Sequence, residues 1–305
     1  MAKPSTNQII ANARRHGLAI PAFNVPYLPM VEPIVRAIVD QDSFGLIASS
    51  RIEWTKFQAK GPTAVMREYE RWADPEHVRP HLDHVPVIDE DGYEVDYVPI
   101  FEEAIEVGFQ SVMIDASRLP LEENIAATRA VCAMAQAAGI ACEGELGAVL
   151  GHEPGPLPPY EELFASGRGF TDVEEARRFV RETGCDWLSV AVGNIHGAVA
   201  EGLRDKQKIS ARLNIEHLDK LREAAGVPLV LHGGSGIQQE YILQAVKRGI
   251  AKINIGTDIR QSYERALAET ASVSAAKDAV YDRTCWILRD YLGMCGARRL
   301  LTAAS

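Results

Sequence analysis

The sequence lacks the features that define several large protein classes. Its five cysteines (Cys132, Cys142, Cys185, Cys285 and Cys295) form no CxxC pair, so a zinc ribbon or thioredoxin-type redox motif is excluded. The first three lie in apolar, regularly patterned segments and read as reduced core thiols of a cytoplasmic protein. No window approaches the ~18 apolar residues of a membrane span. The opening MAKPSTNQIIANARRHG has no continuous apolar stretch of the signal-peptide kind and reads as a helix capped by Ser5 or Thr6. Basic residues are in deficit: 32 Lys and Arg against 42 Asp and Glu give a formal net charge of −10. That disfavours nucleic acid as a partner, since its backbone needs a basic face. It leaves small anionic substrates open, because a phosphate site can be built from backbone N–H groups. The expectation is a soluble, cytoplasmic chain with no nucleic-acid or membrane partner.

What is present is rhythm. Apolar runs at Leu18–Val25, Phe44–Ser49, Val78–His84, Ser111–Ala116, Ile140–Leu146, Trp187–Val192, Pro228–His232 and Ala251–Ile255 alternate with helical patterns. Runs such as LSVAV lack polar alternation, as suits parallel strands buried on both faces. TDVEEARRFVRETG opens on Thr171, with Glu174 as a capping-box partner, and stops on Gly184. Eight strand–helix units predict an α/β fold, a (β/α)8 TIM barrel. Residues 1–305 form a single domain in this reading, with the barrel over about 18–270 and a helical extension over about 271–305. The segment CWILRDYLGMCGARRLL within that extension reads as an amphipathic helix. An open doubly wound sheet is the alternative, but no GxGxxG follows the first strand. Three long connections (85–98, 147–169 and 197–213) follow strands and precede helices, which is the catalytic side of a barrel.

Three of the eight histidines end predicted strands: His84, His196 and His232. A barrel brings such ends to one rim, and three imidazoles with an open fourth position make a catalytic zinc arrangement. Imidazole also suits other divalent metals. His81, three residues before His84, falls on the opposite face by strand alternation. Acids stand beside these histidines: Asp83, Asp115, and the alternating pair Glu143 and Glu145, which share one strand face. Buried carboxylates need a cation or hydrogen-bond donors. The turns HGGSG and NIGTD after the seventh and eighth strands lie where barrels commonly hold phosphate.

At these residues the chain resembles the class II, zinc-dependent aldolases, the fructose- and tagatose-bisphosphate aldolases and their relatives. The matching segments are AFNVPYL (22–28), HLDH (81–84), GFQSVMIDASRLPLEENI (108–125), EGELGAVLGHE (143–153), GNIHG (193–197), VPLVLHGGSG (227–236) and AKINIGTDIR (251–260). The resemblance implies a lyase of carbohydrate metabolism that reversibly splits a ketose phosphate or bisphosphate into dihydroxyacetone phosphate and an aldehyde. It implies that His84, His196 and His232 bind Zn2+, with Glu145 as an alternative ligand or a residue behind them. Asp83 would exchange a proton with the C4 oxygen, and Glu153 would move the proton on the ketone-derived carbon. Gly197, Gly233, Ser235, Asn254 and Thr257 would hold the dihydroxyacetone phosphate half, with Na+ or K+ as a companion. Asn24 and Ser49 match substrate-contacting positions, and Arg260 an arginine that reaches the far phosphate. Family members are dimers or tetramers, which implies a homodimer or homotetramer.

The departures cluster on the aldehyde side. The stretch after His84 is long and acidic, Gly256 replaces an aspartate of fructose-bisphosphate enzymes, and Ser49-Ser50-Arg51-Ile52-Glu53-Trp54 replaces a proline-glycine turn. A catalytically silent binding barrel and a metallohydrolase on the same fold are the rival readings. Retention of the histidines and acids opposes the first, and the GGSG and NIGT turns oppose the second.

Overall fold

In the computed structural model, which describes residues 3–149, 159–195 and 211–303, eight parallel strands close into a barrel. They are β1 (Ile20–Asn24), β2 (Gly45–Ser50), β3 (Val78–Pro86), β4 (Ser111–Asp115), β5 (Ala141–Leu146), β6 (Trp187–Val190), β7 (Leu229–Leu231) and β8 (Ile250–Ile255). Each pairs with the next, and β8 pairs with β1 through Ile20 and Lys252. Every residue of β1, β2, β5, β6, β7 and β8 is buried. That double burial explains the unbroken apolar runs, because one face fills the barrel and the other meets the surrounding helices. All eight expected strands are present, with ends shifted by up to two residues. No described helix is long and apolar enough to cross a membrane.

Two features of the strands decide where side chains point. On β3 the pairing with β4 advances three residues, Leu82 to Val85, while β4 advances two, Val112 to Ile114. The extra residue makes a bulge, and His84 takes φ 27°, a left-handed conformation rare outside glycine. Strict alternation would turn His84 away from the face of His81 and Asp83. The bulge returns it to the site, so the expectation that His81 lies off the functional face is corrected: His81, Asp83 and His84 all serve the interior. On β8, Lys252 and Asn254 are two residues apart and both face inward toward Asp83.

The helical layer follows local signals with two corrections. The first helix, Thr6–His16, has Ser5 as its cap in a reciprocal box with Gln8. In the helix Val173–Thr183 the cap is Asp172, which accepts from the Glu174 and Glu175 N–H groups. Thr171 instead donates to the Leu146 carbonyl at 2.5 Å and accepts from Ala191 N–H, tying β5 to β6. At the C-terminus, Val273–Trp286 is helical and Ile287–Tyr291 forms a π turn. Gly293 and Gly296 then adopt left-handed φ before a short helix, Arg298–Thr302. The continuous amphipathic helix expected there is therefore broken. The final helix docks on the first, with Asn12 donating to the Leu301 carbonyl at 2.8 Å.

Candidate metal centre and active site

The C-terminal ends of β3, β4, β5 and β7 bring two imidazoles and a ring of carboxyl groups together. His84 Nε2 and His232 Nδ1 face each other at 2.6 Å. His84, Glu145 and His232 each offer one ligand atom, all within 4.8 Å of one another. The second nitrogen of each ring is held by a carboxylate: His84 Nδ1 lies 3.4 Å from Asp115, and His232 Nε2 lies 2.8 Å from Glu143. A carboxylate can only accept, so these contacts put hydrogens on the outer nitrogens and aim the inner ones at a common point. Glu145 Oε2 is buried without a hydrogen-bond partner, 3.7 Å from His232 Nδ1.

Electrostatics favour a cation at that point. Asp83, Asp115, Glu143 and Glu145 crowd around it, and Lys252 is the one buried ammonium beside them among the described residues. Burial pushes the Glu145 carboxyl well above its ordinary range, and the charge of Asp115 adds to this. Burial works against charge on His84, yet the hydrogen bond to Asp115 and the charge of Glu145 hold the ring up at about 10. Burial, then the charge on His84, pushes His232 down to about 4. Together the two rings thus carry one positive charge. An unpartnered buried carboxyl oxygen, two inward ring nitrogens sharing one proton that a cation would displace, and excess negative charge fit a divalent metal ion, and imidazole with carboxylate suits zinc among others.

Beside this centre, Asp83 is fixed as a carboxylate. Burial pushes its pKa up, but Lys252, His81 and the neighbouring imidazoles outweigh that and hold it well below the usual range. Asn24 donates to Asp83 Oδ2 at 2.9 Å and Asn254 donates at 2.8 Å. Lys252 Nζ sits 3.8 Å from Asp83 and 2.9 Å from Glu143, which its charge helps hold down at about 2 against the push of burial. His81 Nε2 completes this floor, 3.5 Å from Asp83 and 3.8 Å from Glu143. Sequence reasoning passed over Lys252. Its signal was a lone lysine inside the apolar run AKINI.

One solvent-open cavity of about 960 Å3 takes in Asp83, His84 and Asp115 together with Asn24, Gly233, Ser235, Asn254, Thr257 and Arg260. The turn after β7 is shaped by glycine: Gly233 has φ 65°, and a Cβ on Gly234 would stand 2.4 Å from Ile253 and 2.8 Å from the Asn254 carbonyl. Thr257 opens the helix Thr257–Thr270, so this wall of the cavity combines a glycine turn with a helix N-terminus, a setting that attracts anions. Arg260 pairs with Glu264 at 2.6 Å and lies over the Phe57 ring. Ser49 is not at the cavity. It pairs with Leu82 and is fully buried, whereas Ser50, paired with Asp83, faces the cavity. Strand alternation exchanges the two serines. His196, Gly197 and Glu153 lie outside the described residues.

The family model for "Fructose-bisphosphate aldolase class-II" matches residues 4–294. A chain from Streptococcus pyogenes described as fructose-bisphosphate aldolase is 34% identical over 286 residues, covering 92% of this chain and 88% of that one. One from Streptococcus pneumoniae with the same description is 34% identical over 288 residues, covering 93% and 88%. Among solved structures, the YdjI aldolase from Escherichia coli K12 superposes with a TM-score of 0.76 at 27% identity, covering 97% of this chain and all of that one. With barrel, donor set and these likenesses in agreement, the chain belongs to the class II fructose-bisphosphate aldolase family.

Proposed function

We propose that this single-domain barrel cleaves and forms the C3–C4 bond of a ketose phosphate or bisphosphate, with dihydroxyacetone phosphate as the ketone product and an aldehyde as the other. The observation that carries the reading is Asp83: a buried carboxylate, kept ionised by Lys252, opening into the same cavity as His84. His84 and His232 would hold Zn2+, with His196 as third ligand and Glu145 as an alternative. The ion, when bound, supplies Lewis acidity toward the ketose oxygens. Asp83 takes the proton of the C4 hydroxyl, the C3–C4 bond breaks, and C4 leaves as the aldehyde carbon. The electron pair stays with the ketone half, and Glu153 returns a proton to C3. Gly197, Gly233, Ser235, Asn254 and Thr257 cradle the ketone phosphate, with Na+ or K+ beside it. Asn24 orients Asp83, and Arg260 reaches a phosphate at the far end when one is present. The enzyme works as a homodimer or homotetramer in the cytoplasm.

Lys252 does not serve as a Schiff-base amine in this scheme, since its ammonium is buried and paired with Glu143. Prolonged dialysis against EDTA is expected to abolish aldol cleavage, with zinc restoring it, while borohydride added with substrate leaves activity intact. Inactivation by borohydride together with full activity after metal removal would refute the proposal.

A further inference from the structure

The cavity contains a second buried carboxyl that the scheme above leaves idle. Glu53 follows β2 in the short helix Arg51–Thr55, is 5% exposed, and lines the cavity beside Asn24 and Ser50. One carboxyl oxygen accepts from the Ser50 N–H at 2.8 Å, which caps the helix. The Ser50 side chain meets the Glu53 N–H in return, closing a capping box. Asn24, which donates to Asp83 at 2.9 Å, lines the cavity beside Glu53.

The two groups differ in charge state. Lys252 and His81 lie beside Asp83 and keep it ionised. Among the described residues no cation pairs with Glu53: burial pushes its carboxyl up to about 8, with the Ser50 N–H opposing this and the charge of Asp83 adding to it. A neutral carboxylic acid has one O–H to donate. The Ser50 N–H occupies one carboxyl oxygen of Glu53, which leaves the acid's hydrogen to the side that opens on the cavity. The register places this group next to the base, because Ser50 pairs with Asp83 across β2 and β3. The glycine turn for the ketone phosphate lies at β7 and β8 instead. Gly256, which also flanks Asn24, brings no side chain to the space.

Resting on the proposed aldolase reading, we propose that Glu53 is a specificity-determining residue that hydrogen-bonds the hydroxyl on the carbon next to the aldehyde, selecting α-hydroxyaldehydes as partners. Asp83 handles the oxygen of C4, and the next oxygen along the aldehyde half is the one beside it.

The test condenses dihydroxyacetone phosphate with glyceraldehyde and with 3-hydroxypropanal, which lacks only that hydroxyl, and compares kcat/KM. A pocket built to bond a hydroxyl discriminates strongly against its absence, so the wild-type protein is expected to favour glyceraldehyde by about tenfold or more. Glu53→Ala brings the ratio close to one. Glu53→Gln, which keeps a donor and an acceptor, retains most of the preference. A helix cap alone would lower the Tm of the alanine variant without moving the ratio. Wild-type activity with a ratio near one overturns the assignment with no variant needed. So does an unchanged ratio in a folded Glu53→Ala protein. No product from either aldehyde would bring down the aldolase reading itself, and this inference with it.

Discussion

Along β3, β5 and β8 the cavity floor is made of charged side chains clamped on one another, whereas at the β7 and β8 turns the wall is backbone from which side chains have been removed. The floor holds Asp83, Glu143, His81 and Lys252 within 4 Å contacts of one another. The wall depends on Gly233 at φ 65° and on Gly234, whose position has no room for a methyl group. A floor of that kind tunes charge and proton affinity. A wall of that kind fixes the distance at which backbone N–H groups approach a ligand. The floor is therefore sensitive to changes of charge at constant shape, and the wall to changes of shape at constant charge.

The largest expected break of this contrast is Asp83→Asn. It keeps the outline of the floor and removes the proton acceptor, so kcat for aldol cleavage should fall by about 10²–10⁴-fold, with Tm lowered as Lys252 loses one of its two carboxylates. Lys252→Met comes next. It leaves Glu143 and Asp83 buried without their ammonium, and chemical denaturation should show a loss of about 3–5 kcal/mol. Gly234→Ala tests the wall: with the new carbon driven against Ile253 and the Asn254 carbonyl, we expect about 1–3 kcal/mol of lost stability and weaker retention of inorganic phosphate as a competitive ligand. The smallest effect concerns pH. Glu53 has a folded-state pKa of about 8, above its ordinary value of 4.5. The fold therefore favours its protonated form, and that contribution is full below pH 4.5 and lost as pH rises through 8. Glu53→Gln cannot ionise. Its stability relative to wild type should improve steadily as pH rises between those limits, and parallel stability–pH curves for the two proteins would contradict this.

The barrel was legible because both strand faces are buried, so each strand is written as an apolar run that few other structures require. Glu143 and Glu145 were legible as a same-face pair for the same reason: β5 is regular. Where regularity fails, reading fails with it. His84 reaches the site by an inserted residue that alternation does not anticipate, and alternation alone separates His81 from the face of His84. Ser49 and Ser50 are chemically identical, and only the register with Leu82 and Asp83 separates them. Lys252 and Glu53 carry their meaning in partners more than 100 and about 30 residues away, Glu143 and Asp83. The Asp172 cap displaced Thr171 because the threonine hydroxyl had a better use between two strands.

The bulge in β3 has a mechanical consequence. Because the proposed base and the neighbouring imidazole occupy consecutive residues, covalent geometry sets the spacing between their backbones. Loop rearrangements elsewhere on the rim can admit or expel a ligand without altering that spacing, so the chain itself serves as the gauge for the reaction. Without the extra residue between Leu82 and Val85 only one of Asp83 and His84 could face the interior, whatever the rest of the barrel did.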